Sequence, residues 1–311
     1  MAGTSSLDPL FLAGPTAVGK SSVALELAER MGGEIISVDS MQVYRGLDIG
    51  TAKPSAAEQR RIPHHLIDVA DLSESFDAAR FVQLTTDVVK QIQSRGHVPI
   101  FCGGTGLYFK AFTEGLGEAP SASPELRKEL EAMPLETLLE ELKQRDPTTF
   151  ERVDRKNPRR VVRALEVIRL TGKPFSSQRA VWSPAPEEVT ARSFGLSRPV
   201  VDLRNRIDRR VDAMFLQGLV AETEKLMSCG LEKNRTALQA LGYRQVVEHL
   251  HGEHSLDETI ELVKIRTRQF AKRQLTWFRR QMTLKWIEIE KNDAPEIVAK
   301  RILNDLNSTI A

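Results

Sequence analysis

The sequence predicts an α/β fold: a parallel sheet flanked by helices, interrupted by a helical insertion and completed by C-terminal helices. Short apolar runs at 10–13, 34–38 and 98–102, each bounded by Gly, Asp or Pro, alternate with stretches of helical periodicity. That alternation is the βαβ pattern, which gives parallel strands joined by crossover helices. The first run leads straight into Gly14-Pro15-Thr16-Ala17-Val18-Gly19-Lys20-Ser21, a GxxxxGK[ST] loop between strand and helix; such a loop makes the core P-loop NTPase-like. From about residue 120 to 192 the strand signals stop, and Pro147, Pro158, Pro174 and Pro184 punctuate helical segments.

In order along the chain, residues 21–31 read as a helix with Val23, Leu25, Leu27 and Ala28 apolar. Residues 78–94 read as a second, with Phe81, Leu84, Val88 and Ile92 at helical spacing. Residues 124–143 and 158–170 are helical. The sheet resumes at 193–196, two long amphipathic helices cover 203–227 and 259–280, and 285–289 is a last short strand. The expected division is 1–115 for the first part of the core, 116–192 for the helical insertion, and 193–311 for completion of the core with the C-terminal helices.

A chain of 311 residues with 41% apolar and 28% charged residues is globular, and no apolar run approaches the ~18 residues of a membrane span. The polar start, Met1 to Asp8, has no basic flank, so a cytoplasmic location is expected. Cys102 and Cys229 are too few for a disulfide framework or a cysteine zinc site. Net charge is only +2, but its distribution is uneven: residues 264–280 hold seven Lys or Arg and no acid, and residues 155–173 hold seven against Glu166 alone. Such clusters suit a nucleic-acid backbone.

The P-loop is the strongest chemical signal. Its glycines let backbone N–H groups turn inward onto an anion, and the following helix adds the positive end of its dipole. Lys20 neutralises oxygens and Ser21 can hold Mg²⁺. The motif identifies a polyphosphate rather than ATP. Many P-loop enzymes carry an Asp at the end of a later strand, but run 98–102 ends in Gly103-Gly104-Thr105-Gly106, and no guanine-reading NKxD occurs. The acid that does end a strand is Asp39. Strand carboxyl ends line the ligand crevice of an open α/β sheet, so Asp39 faces whatever the P-loop holds and can take a proton from a nucleophile. An N-cap or turn role is the other reading of the same residue.

These residues resemble the tRNA dimethylallyltransferase family, bacterial type: GPTAVGKS at 14–21, DSMQVYRGLDIGTAKP at 39–54, PHHLID at 63–68, GGTGLYFKA at 103–111, PRRVVRALE at 158–166, ALGYRQ at 240–245 and TRQFAKRQLTWFRR at 267–280. The cysteines of the zinc finger that eukaryotic relatives append are absent. The resemblance implies transfer of a dimethylallyl group from dimethylallyl diphosphate to N6 of the adenosine 3′ of the anticodon, with the base extruded from the anticodon stem-loop of tRNA. Asp39 is then the base and Thr105 contacts the nucleotide. Gly14 to Ser21 hold the diphosphate with Mg²⁺, and Ser40, Met41 and Gln42 line the base pocket. Arg127, the run Arg159, Arg160, Val161, Val162 and Arg163, and the run Gln239, Ala240, Leu241, Gly242, Tyr243 and Arg244 match positions that touch tRNA. A monomer is expected.

Weaker signals stay open. Arg206 and Arg210 can reach a diphosphate or pair with Asp202, Asp208 and Asp212. Arg268, Lys272 and Arg279, beside Trp277 and Phe278, can follow an RNA backbone or form a solvated helix face. His64 and His65 read as structural rather than catalytic, while His249, His251 and His254 have a metal-like spacing but surround Gly252 in an exposed turn, which disfavours a metal site. Met214 and Met227 read as core. The competing functions are a small-molecule kinase, disfavoured by the missing second acid, and a non-catalytic RNA-binding module, which needs neither P-loop nor Asp39.

Overall fold

The computed structural model describes residues 7–116, 119–120, 122–178 and 185–310. The chain runs β1 (Leu10–Ala13), α1 (Lys20–Met31), β2 (Gly33–Val38), α2 (Ala56–Arg61), β3 (His64–His65), α3 (Ala78–Ser94), β4 (Val98–Gly103) and α4 (Gly106–Glu114). Five helices follow: α5 (Pro124–Glu131), α6 (Leu135–Arg145), α7 (Pro147–Arg152), α8 (Pro158–Thr171) and α9 (Phe175–Gln178). The chain then returns through α10 (Glu187–Ala191), β5 (Ser193–Ser197), α11 (Val200–Leu216), α12 (Leu219–Ser228), α13 (Tyr243–Leu250), α14 (Leu256–Gln281), β6 (Lys285–Glu288) and α15 (Pro295–Ile310).

The strands form one six-stranded sheet in the order β3-β2-β4-β1-β5-β6, and every pairing is parallel. β1 is buried throughout because it sits between β4 and β5 with both faces covered. Its side chains alternate as a strand's must. Phe11 and Ala13 join a core with Ile36, Val38, Phe101, Tyr108 and Phe278, while Leu10 and Leu12 join a second core with Val23, Leu27, Ile100, Phe194 and Ile302. Met214 and Met227 pack, partly buried, against the first.

Punctuation explains the boundaries. α1 stops at Gly32, which takes the left-handed conformation at φ 62° and donates its N–H to Ala28. α14 starts at Ser255 with a capping box to Glu258. Two expected helices are each divided. The 203–227 stretch breaks where Gly218 adopts φ 101° ahead of α12, and the 124–143 stretch breaks at Pro134, the N-cap of α6. In both, apolar periodicity continued past a residue whose backbone ends a helix.

Two compact units result, 1–113 with 185–311, and 114–184. Residues 185–192, expected in the insertion, fall in the sheet unit: Arg192 and Ser193 both bond back to the Val189 carbonyl, so α10 leads directly into β5. The smaller unit has its own core of Leu130, Leu138, Leu142, Val161, Val162, Leu165 and Ile168.

At the amino ends of the strands, buried Glu34 ties the sheet together. Arg95 donates to both its oxygens at 2.9 and 2.8 Å, and His65 and His97 meet it at 2.6 and 2.7 Å. His64 bonds the Ile62 carbonyl at 2.7 Å, so both histidines are structural. Burial pushes the Glu34 carboxyl up, but the hydrogen bonds from Arg95, His65 and His97 outweigh it and hold it down at about 2. A depressed acid stabilises the fold above the ordinary carboxylate pKa, and that contribution is lost as pH falls through about 2. Melting curves from pH 7 to pH 2 are expected to show an acid limb that Glu34→Gln flattens, with a loss of about 2 kcal/mol at neutral pH.

Candidate active site

The loop between β1 and α1 is shaped by three left-handed residues. Gly14 has φ 155°, Ala17 62° and Gly19 110°. A Cβ on Gly14 would lie 2.8 Å from the Leu196 carbonyl, so β5 leaves no room for a side chain there. Side chains from other elements hold the loop from outside. Arg198 Nε donates to the Val18 carbonyl at 2.8 Å, Arg206 Nε to the Ala17 carbonyl at 2.9 Å, and Arg210 reaches Thr16 Oγ1 at 3.5 Å. The Thr16 N–H donates to Gln274 Oε1 at 2.8 Å. Lys20 folds back to the Pro15 carbonyl at 2.7 Å.

The cradle is strongly cationic. Burial pulls Lys20 down to about 8; nearby Arg210 adds to this and the Asp39 carboxylate opposes it. Burial lowers Arg206 and Arg210 too, and neighbouring arginines add to the effect. Burial pushes the Cys102 thiol up to about 11, which makes it unreactive. Desolvated cations at the N-terminus of a twelve-residue helix are favoured by a multivalent anion.

Strand order brings the second half of the site to this loop. β4 lies between β1 and β2, so the segments after all three strands emerge side by side. Asp39 follows β2, and its Oδ1 accepts the N–H groups of Met41 at 2.8 Å and Gln42 at 3.3 Å. The turn reading of Asp39 therefore holds for Oδ1, and Oδ2 takes no part in that turn. Thr105, after β4, accepts the Ser40 N–H at 3.1 Å, which leaves its own hydroxyl proton to donate. Gln42 accepts the Ser37 hydroxyl and donates to the carbonyls of Thr51 and Ala52 at 3.1 and 3.3 Å. A cavity of about 710 Å³ is lined by Ile49, Lys53, Asp68, Met214 and Arg210 among others, and Arg210 is also the residue that reaches Thr16.

The glycines of Gly103-Gly104-Thr105-Gly106 follow from packing. A Cβ on Gly103 would fall 2.0 Å from the Val38 carbonyl, on Gly104 2.2 Å from Gln274 Nε2, and on Gly106 2.1 Å from the Trp277 ring. Residues 42–281 match the IPP transferase family model. The chain belongs to the IPP transferase family. It is 47% identical over 289 residues, 92% of this chain and 95% of the relative, to tRNA dimethylallyltransferase 1 of Trichlorobacter lovleyi. The solved tRNA isopentenylpyrophosphate transferase of Bacillus halodurans is 38% identical with a TM-score of 0.72, covering 97% of this chain and 98% of that one. A eukaryotic dimethylallyltransferase acting on tRNA superimposes at a TM-score of 0.78 with 27% identity over 97% of this chain and 80% of that one.

Several residues expected at an RNA surface of this transferase are interior. Val161 and Val162 are buried in the core of the smaller unit, because α8 turns that face inward. Ala240, Gly242 and Tyr243 are buried as well, and the Tyr243 hydroxyl bonds Glu222 at 2.6 Å and the Gly50 N–H at 3.0 Å, tethering the 48–54 loop. Gln239 and Arg244 face outward, and Leu241 is half-buried. Arg127 and Arg163 reach the fully buried Glu166 at 2.8 and 2.7 Å, whereas Arg159 and Arg160 are exposed.

Arg206 and Arg210 turn to the cradle, while the acids take other partners: Asp202 takes Arg198, Asp208 takes Arg268, and Asp212 takes Lys264. Arg279 sits over the Trp286 ring at 5.5 Å. His249 bonds the His254 carbonyl and His251 faces Glu232. Gln274 and Arg198 escaped sequence reading. The available signal for Gln274 was a polar residue on the apolar stripe Val263, Ala271, Phe278 of α14.

Glu166 separates the two arginine pairs energetically. Burial pushes its carboxyl up, and the hydrogen bonds from Arg127 and Arg163 more than offset this. Replacing Arg127 and Arg163 together by Ala strands a buried carboxylate and is expected to cost about 3–5 kcal/mol. Replacing Arg159 and Arg160 is expected to cost under about 1 kcal/mol; urea unfolding of the two double variants makes the comparison.

Proposed function

We propose that this transferase moves a dimethylallyl group from dimethylallyl diphosphate to N6 of the adenosine 3′-adjacent to the anticodon of tRNA, releasing diphosphate. One observation carries the reading. Asp39 and Thr105 follow the neighbouring strands β2 and β4 beside a cationic P-loop, and Gly103-Gly104 stand where a nucleotide-hydrolysing enzyme would place an acid. The site thus pairs an anion cradle with a proton acceptor.

Each residue then has a chemical task. The loop N–H groups, Lys20 and Arg210 neutralise the diphosphate as charge builds on it, which is where a preorganised cationic site lowers the barrier most. The bond between C1 of the dimethylallyl group and the diphosphate oxygen breaks, and its electron pair leaves with the diphosphate. The N6 amine forms the new C–N bond, and its proton passes to the Asp39 carboxylate. Thr105 donates its hydroxyl to the nucleotide, and Ser40, Met41 and Gln42 wall the base, which must leave the stack to react.

The exposed Ser21 hydroxyl, in the first turn of α1, is a hard oxygen donor of the kind Mg²⁺ takes together with substrate phosphate oxygens. Magnesium held by Ser21 would add charge neutralisation to the leaving group. Arg159, Arg160, Gln239 and Arg244 are the exposed candidates for contact with the anticodon stem-loop.

The test is an assay with unmodified tRNA and labelled dimethylallyl diphosphate, without ATP. Product is expected, and Asp39→Ala should lower kcat about 10²- to 10⁴-fold with tRNA affinity kept; an absolute ATP requirement or near-normal turnover by the variant overturns the reading. A second expectation concerns the RNA contact. Replacing Arg159 and Arg160 by Ala should flatten the log–log salt dependence of tRNA binding by about 1.5 to 2, and lines parallel to the parent's would remove this segment from the RNA surface.

A further inference from the structure

Gln274 is 8% exposed and lies on the buried stripe of α14 between Ala271 and Phe278. Both ends of its carboxamide are committed to backbone. Oε1 accepts the Thr16 N–H at 2.8 Å, and Nε2 donates to the Gly104 carbonyl at 3.0 Å. Thr16 belongs to the loop after β1 and Gly104 to the loop after β4, so a side chain from a third element joins the two. The linkage continues from there. The N–H groups of Gly104 and Thr105 both reach the Val38 carbonyl, at 3.2 and 3.1 Å, and Thr105 Oγ1 takes the N–H of Ser40, the neighbour of Asp39.

We propose that Gln274 is a positioning residue that sets the separation between the P-loop and the Asp39–Thr105 pair. The proposal rests on the transferase reading. A packing role alone would suit Leu, since the rest of the stripe is Val263, Ala271, Phe278 and two threonines bonded within the helix region. A buried carboxamide on such a stripe costs free energy unless both of its ends are satisfied, and here they are satisfied by the two loops that must be held in register. Glutamine fits because the task needs one acceptor and one donor at a set spacing. Glutamate would turn an oxygen against the Gly104 carbonyl and add negative charge beside an anion cradle. Displacement at carbon needs the amine within about 3–3.5 Å of its target, and an error of about 1 Å can cost about 10²-fold in rate. Loosening the clamp therefore lowers the rate of reaction of bound substrates more than it weakens their binding.

The experiment compares the parent chain with Gln274→Leu and Gln274→Glu, measuring kcat, the KM for dimethylallyl diphosphate and for tRNA, binding of inorganic diphosphate, and thermal melting. For Gln274→Leu, kcat is expected to fall about 10- to 100-fold while both KM values and diphosphate affinity stay within about threefold. Gln274→Glu is expected to lower kcat and weaken diphosphate binding, with the KM for tRNA unmoved. A kcat within about twofold of the parent for a folded Gln274→Leu overturns the proposal, and so does a rise in KM at unchanged kcat. Should Gln274→Leu fail to fold, Gln274→Glu decides: an unchanged kcat overturns the proposal, and a reduced kcat at unchanged tRNA KM supports it. A parent chain that prenylates no tRNA overturns the activity reading instead, which keeps the two failures apart.

Discussion

The approach of β2 and β4 at their carboxyl ends governs the site. The Val38 carbonyl accepts two N–H groups from the segment after β4, and a Cβ on Gly103 would fall 2.0 Å from it. No L side chain fits at that contact, so an acid cannot be carried there. The available carboxylate is one strand over, on Asp39, where the chain turns away from β2 and Oδ1 stabilises the turn it makes. That separation of roles suits a site in which the phosphate-binding loop receives a leaving group and the carboxylate attends the nucleophile.

Much of this was legible in the sequence, and the part that was not has a common cause. Apolar runs bounded by glycine located β1, β2 and β4, and the P-loop pattern located the cradle, because both depend on residues adjacent in the chain. The helix breaks at Pro134 and Gly218 were missed where periodicity ran through them. At the site, Asp39, Thr105 and Lys20 announced themselves through motifs, whereas Gln274 and Arg198 did not. They act on backbone 258 and 180 residues away, and no local pattern encodes such a partner. The runs 159–163 and 239–244 carried the opposite error: a contiguous motif on a helix or turn has an inward face, and Val161, Val162 and Tyr243 occupy it.

Arginine rather than lysine braces the P-loop for a geometric reason. A guanidinium can donate from Nε to a loop carbonyl and still present its terminal nitrogens elsewhere. Arg198 and Arg206 do the first, and a Cβ on Gly19 would lie within 3.9 Å of the terminal nitrogens of both. The Ala17 and Val18 carbonyls are thereby taken up by arginines, while the Pro15 carbonyl accepts from Lys20. Burial is the main cause of the lowered Lys20 pKa and the nearby Arg210 charge adds to it; an anion beside them favours the charged form.

The smaller unit has a further consequence for how the molecule can change. Among the described residues its apolar core shares no member with the buried clusters of the sheet unit, and the chain leaves the sheet unit after residue 113 and rejoins it at 185. β1, β2 and β4 precede the excursion and β5 and β6 follow it, so sheet register does not depend on what lies between. The stretch 114–184 can therefore change in length or packing as a body with its own core, apart from the segments that carry Asp39, Thr105 and the P-loop.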